Sequence, residues 1–233
     1  MDKEELRERY EAFGDESVYA EAMRRYEDAL AGDPANAHLL TSYGYLQECH
    51  GRRALQAAAD CYERAIAADP QHDKPHWQLI GALSALVQTG TAVSRYQQLV
   101  AQASGEPRGY RFLACASLHA SDYTQAAQVI REGLAVAPGD PSLTELEGDL
   151  YAATGRPGDA LARWQRAAAL APDDYGISMH YSAADLLERL GRPAEAAQEW
   201  RFIIGWCERH GDEISADWPK RELHRLETQL ADA

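Results

Sequence analysis

Few side chains in this chain have both the type and the spacing for chemistry. Cys115 and His119 stand four positions apart, so on a helix they share one face. A thiolate beside an imidazole is able to act as a nucleophile, and the same pair supplies two ligands toward a zinc site. Asp149 is the candidate third member. The segment His72-Asp73-Lys74-Pro75-His76 carries two more imidazoles, but Asp73 there more simply caps a following helix. Cys49-His50 reads as a helix end, with the imidazole near the last carbonyls. None of these has a local signature. The sequence holds no Walker motif, no G-x-G-x-x-G after a strand, no H-E-x-x-H and no G-x-S-x-G. A small cysteine in a packed helix is more often a core residue than a nucleophile. The expectation is a non-enzyme without metal or cofactor. An accessory subunit or enzyme with a pocket around Cys115, His119 and Asp149 is the alternative.

The four cysteines, Cys49, Cys61, Cys115 and Cys207, form no C-x-x-C pair and no dense framework. That spacing predicts reduced thiols and a cytoplasmic protein. The first residues, MDKEELRERYEAFGDE, are charged and lack the apolar core of a secretory signal. No stretch approaches the roughly 20 apolar residues of a membrane helix. Twenty-three Lys and Arg against 37 Asp and Glu leave a net charge of −14. Such a surface repels phosphate backbones and anionic membranes, so neither is expected as a partner.

The elements that position these residues are helices of regular period. Apolar helical runs end in proline at ALAGDP, AIAADP, GLAVAP and AALAP, placing Pro34, Pro70, Pro138 and Pro172 about one repeat or a multiple of it apart; the last two are separated by 34 residues. A fixed period of this size marks stacked helix pairs. The clearest copy runs from Pro141 to Asp174, with Gly148 and Tyr151 in its first helix, Gly155 in the turn, and Ala160, Trp164, Ala167 and Pro172 in its second. Gly155 is suited to the left-handed conformation that ends a helix. A second copy carries Tyr43-Gly44, then Ala58, Tyr62, Ala65 and Pro70, with two extra residues near Gly51. Trp77, Ile80 and Gly81 open a further copy, whose second half fits only with a residue dropped and a distortion near Gly90. After the last copy, Asp217 and Pro219 suggest the start of an amphipathic helix with Leu223, Leu226 and Leu230 on one stripe.

These residues resemble the tetratricopeptide pattern W-x-x-L-G-x-x-Y, A-x-x-x-F-x-x-A, P. The resemblance implies an all-α, right-handed superhelical solenoid of about six helix pairs plus a C-terminal capping helix. It covers 1–233 as one repeat domain, with repeats near 3–36, 37–72, 73–106, 107–140, 141–174 and 177–210, and the cap near 217–231. It also implies that first helices line a groove. At those positions stand Tyr45, Arg108, Arg111, Phe112, Glu145, Asp149, Tyr181 and Asp185. Tyr45, Phe112 and Tyr181 are the candidate anchors. Arg108 and Arg111 have the chemistry to grip a carboxylate, and Glu145, Asp149 and Asp185 to meet a basic segment. The carboxylate clamp of chaperone-binding members is not matched, since Thr41, Tyr45 and Leu79 occupy its first positions. The resemblance implies a scaffold or adaptor for a protein or peptide partner, itself a monomer or weak homo-oligomer. A self-assembling structural protein is the remaining alternative.

Overall fold

The computed structural model describes residues 1–171, 177–211 and 213–231. Pro172 and Asp174, the expected end of the fifth repeat, lie outside them. Among the described residues the chain is helical throughout, with no strand. The helices are α1 Lys3–Phe13, α2 Glu16–Gly32, α3 Ala37–Ala68, α4 Asp73–Ala85, α5 Thr89–Gln102, α6 Pro107–His119, α7 Tyr123–Val136, α8 Pro141–Ala153, α9 Pro157–Leu170, α10 Ile177–Arg189, α11 Pro193–His210 and α12 Glu213–Ala231. None is long and apolar enough to cross a membrane. The chain forms two compact units, Met1–Thr91 and Ala92–Ala233.

Four of the turns within pairs are built alike. In each, the amide of the residue after a left-handed position donates back across the turn: Gln88 to the Leu83 carbonyl, Asp122 to Ser117, Arg156 to Tyr151 and Arg192 to Leu187, at 2.7–2.9 Å. This arrangement satisfies carbonyls that the helix end would otherwise leave open. Gly155 and Gly191 take the left-handed conformation, with φ of 74° and 68°. Val87 and Ser121 do the same with φ of 60° and 57°, although both carry a Cβ. The irregularity of the third repeat therefore sits at Val87, and Gly90 lies inside α5. Aspartate or asparagine caps several helix starts, as Asp2, Asp15, Asn36, Asp122 and Asp140 accept from amides in the following turn.

The second repeat departs from the expected helix pair. Where a turn was anticipated near Gly51, α3 continues for 32 residues. Its neighbours explain this. The fifth and sixth repeats turn at Gly155-Arg156-Pro157 and Gly191-Arg192-Pro193, and proline cannot extend the ladder of the helix before it. Here Gly51 is followed by Arg52, Arg53, Ala54, Leu55, Gln56 and Ala57, all strong helix formers. Propagating through one glycine costs only about 1 kcal/mol. His50 is consequently in mid-helix rather than at a helix end. It shares a 2.9 Å hydrogen bond with the Tyr10 hydroxyl and stacks on Tyr19 at 4.0 Å.

Two other expected helix starts are displaced. His72, not Asp73, is the N-cap residue of α4, without a side-chain cap bond, and Asp73 is the first helical residue. The last helix begins at Glu213, so Asp217 does not cap it and Pro219 lies within it. Leu226 of α12 is buried with Ile203, Cys207 and Trp200 of α11, which closes the end of the second unit.

Candidate functional site

In the second unit α6, α8 and α10 are the first helices of successive pairs, and they carry most of the expected groove residues. Neighbouring first helices are tied there by a side-chain hydrogen bond. Ser178 of α10 donates to Glu145 of α8, one repeat earlier, at 3.0 Å. The first unit repeats the device, as the Tyr45 hydroxyl donates to Glu11 at 2.8 Å across 34 residues. Side chains one period apart thus stand side by side. Ser178 is absent from the expected groove residues and stands one helical turn before Tyr181, the repeat equivalent of Glu145.

The expected residues separate by depth. Phe112 is 0% exposed and packs on Tyr96 with ring centroids 5.3 Å apart. It is a core residue and not an anchor, because it follows the deep side of α6 with Leu113 and Ala116. Arg108 lies over its ring, 5.2 Å from the centroid. Arg111 is engaged by a carboxylate of the chain itself: its Nε and Nη2 donate to Asp140 Oδ2 at 2.7 and 2.5 Å. The Asp140 side chain is only 2% exposed, and its Oδ1 also caps α8 through the Leu143 amide. Tyr181 is half-buried, stacked on Trp218 of α12 with centroids 5.7 Å apart and edge-on to Trp200. Asp185 is exposed and pairs with Arg189 at 3.0 Å. In the first unit Tyr45 is 39% exposed, with Arg7 over its ring.

Glu145 and Asp149 are one helical turn apart on α8 and both are half-buried. Burial and the neighbouring Asp149 charge push the Glu145 carboxyl up to about 7. Burial pushes Asp149 up to about 6, against a bond from the Trp164 indole at 2.9 Å that favours its charged form. The hydrogen bonds these carboxylates receive here come from neutral donors, a hydroxyl and an indole.

Cys115, His119 and Asp149 do line one depression of about 240 Å³, together with Leu118, Tyr123, Leu146 and Ala153. Burial and the two acidic neighbours raise the Cys115 thiol to about 12. A nucleophilic or metal-bound thiolate needs the opposite shift, so the environment works against the chemistry that the spacing suggested. Among the described residues, no group of three or more His, Cys, Asp or Glu is placed to hold a metal ion.

Residues 83–141 and 146–200 match the family model described as a tetratricopeptide repeat. No curated protein matches the sequence. Among solved structures, a thermophilic TPR protein of Thermus thermophilus is similar, with 22% identity over 76% of this chain and 91% of that one and a TM-score of 0.56. A tetratricopeptide repeat protein from Parabacteroides merdae is 17% identical over 96% of this chain and 93% of that one, with a TM-score of 0.49. At 22% identity the likeness to the Thermus protein is one of fold.

Proposed function

Because the chain belongs to the tetratricopeptide-repeat family, we propose that it is a protein- or peptide-binding scaffold whose second unit takes up a basic side chain of its partner on the α6–α8–α10 face. The single observation that carries this reading is the pair Glu145 and Asp149. Two half-buried carboxylates one turn apart hold their protons to about 7 and about 6, so their charged forms lack compensation. A lysine ammonium or arginine guanidinium supplies it, and charge-assisted bonds of this kind are the stronger class. Arg111 is already committed to Asp140, so the face favours the basic part of a ligand over an acidic one.

The test is fluorescence anisotropy with labelled peptides of one length and graded Lys and Arg content. Basic peptides are expected to bind, and more tightly at about pH 8 than at about pH 5, since the carboxylates must ionise to meet a cation. Replacing Glu145→Gln and Asp149→Asn together should weaken binding about ten-fold or more. Equal affinity in the double variant refutes the site.

A further inference from the structure

One repeat carries the two matching faces of a helix pair without joining them. In the fifth repeat Gly148 is pressed so closely on Trp164 that a Cβ would come within 2.5 Å of the indole. Ala160, Trp164 and Ala167 opposite it are buried. The second repeat has the same residues in register: Gly44 in the first half of α3, then Ala58, Tyr62 and Ala65 in the second half. Here a Cβ on Gly44 would meet nothing within 4 Å. Ala58, Tyr62 and Ala65 are only half-buried, and Leu40 and Gln47 beside Gly44 are exposed. The cause is the uninterrupted helix. At 1.5 Å per residue it holds Gly44 and Tyr62 about 27 Å apart along the axis.

We propose that the first half of α3 packs on the second half of α3 from another copy of this chain, in a two-fold dimer. Each α3 carries both members of a complementary pair and, being straight, cannot bring them together itself. Exchange of identical elements between two copies completes both repeats at once, and two-fold symmetry doubles every contact. Two α3 helices laid antiparallel about an axis near Arg53 bring each Gly44 against the other copy's Tyr62. They also bring each Leu40 toward the other copy's Ala65. Near that axis the molecule is open, with a cavity of about 520 Å³ lined by Glu48, Gly51, Arg52, Leu55, Ala85, Leu86 and Val87. Val87 rims it with its side chain 90% exposed. The facing stripe of Leu40, Gly44, Gln47, Ala58, Tyr62 and Ala65 carries no charge, in a chain of net charge −14. Two acidic copies meet there with the least repulsion, and added salt should strengthen the contact by screening the rest.

The experiment is light scattering coupled to size exclusion on the full chain, over a range of protein concentrations. The expected result is a shift with concentration toward twice the monomer mass of 25.8 kDa. The variant Gly44→Leu places its side chain in open space within one copy, so helix content should be kept. In the dimer it collides with Tyr62, and the dissociation constant should rise about ten-fold or more. A monomer at every concentration overturns the proposal, as does a dimer indifferent to Gly44→Leu. A second variant, Gln47→Cys with Ala58→Cys in a background lacking Cys49 and Cys61, locates the contact. Oxidation should link two chains on a non-reducing gel. A bridge within one chain, which would mean that α3 folds into a hairpin, overturns the proposal, and so does no bridge at all.

Discussion

Gly44 and Gly148 occupy the same position in their repeats, yet substitution to alanine should act on them with opposite sign. Alanine in a helix interior is favoured over glycine by about 1 kcal/mol. At Gly148 that gain meets Trp164, whose Cδ1 and Nε1 lie 2.5 and 2.6 Å from the new Cβ. The indole is buried, and its Nε1 is tied to Asp149 at 2.9 Å, so it cannot swing aside without giving up that bond. Overpacking costs about 1–3 kcal/mol and the bond to a carboxylate about 1.5–3 kcal/mol. The expected net effect of Gly148→Ala is a loss of about 2 kcal/mol, and of Gly44→Ala in dilute solution a gain of about 1 kcal/mol. Urea and thermal unfolding followed by circular dichroism read both, at about 2–4 °C per kcal/mol for a chain of this size. A neutral or stabilising Gly148→Ala would falsify the packing argument. A Gly44→Ala variant that loses stability in dilute solution would show that the two halves of α3 lie against one another in a single copy.

Three further outcomes follow from individual residues. Val87 is β-branched at φ 60° with its side chain in solvent, so Val87→Gly relieves strain without losing contacts. It should raise stability by about 1 kcal/mol in urea unfolding. Asp140 joins a cap to a nearly buried ion pair, so Asp140→Ala should cost about 3 kcal/mol or more, while Asp140→Asn keeps the cap and costs less. Stability of the second unit should rise as pH falls. Glu145 and Asp149 titrate near 7 and 6 in the folded chain, against ordinary values of 4.5 and 3.8. The folded state therefore holds protons that the unfolded state releases, and stability increases as pH drops through 7 and 6 toward 4.5. Thermal melts at about pH 8 and about pH 5 should show this, and Glu145→Gln should remove much of the difference.

The helix pairs were legible because their punctuation is local. Gly155-Arg156-Pro157 and Gly191-Arg192-Pro193 dictate a turn by backbone chemistry that no distant contact needs to complete. The long helix was not legible. Tyr43, Gly44, Ala58 and Tyr62 repeat the pattern of a closed pair, and pattern reports which faces match, not whether the segment between them bends. In the second repeat Arg53 stands where Pro157 and Pro193 stand in the fifth and sixth, and the helix runs on. At the site, periodicity assigned residues to a broad face but not to a depth on it. Phe112 and Arg111 share that face with Glu145 and Asp149, yet Phe112 is sunk against Tyr96, and Arg111 is held by a carboxylate 29 positions away. A tertiary partner such as Asp140, outside the groove register, is invisible to helical spacing. Trp218 is equally hidden, because Asp217 and Pro219 read as a helix start while α12 begins at Glu213.

Asp140 also bears on how the second unit comes apart. Its one carboxylate serves two repeats, starting α8 of the fifth and neutralising Arg111 of the fourth. In a linear array, stability is a sum of intrinsic repeat energies and couplings between nearest neighbours. A shared group puts part of the energy into the coupling, which is lost as soon as either repeat opens, so opening one leaves the other less stable. Helices α6 to α9 should accordingly exchange their amide hydrogens as one cooperative block, slower than the outer helices, and Asp140→Ala should split that block into two independently opening pairs.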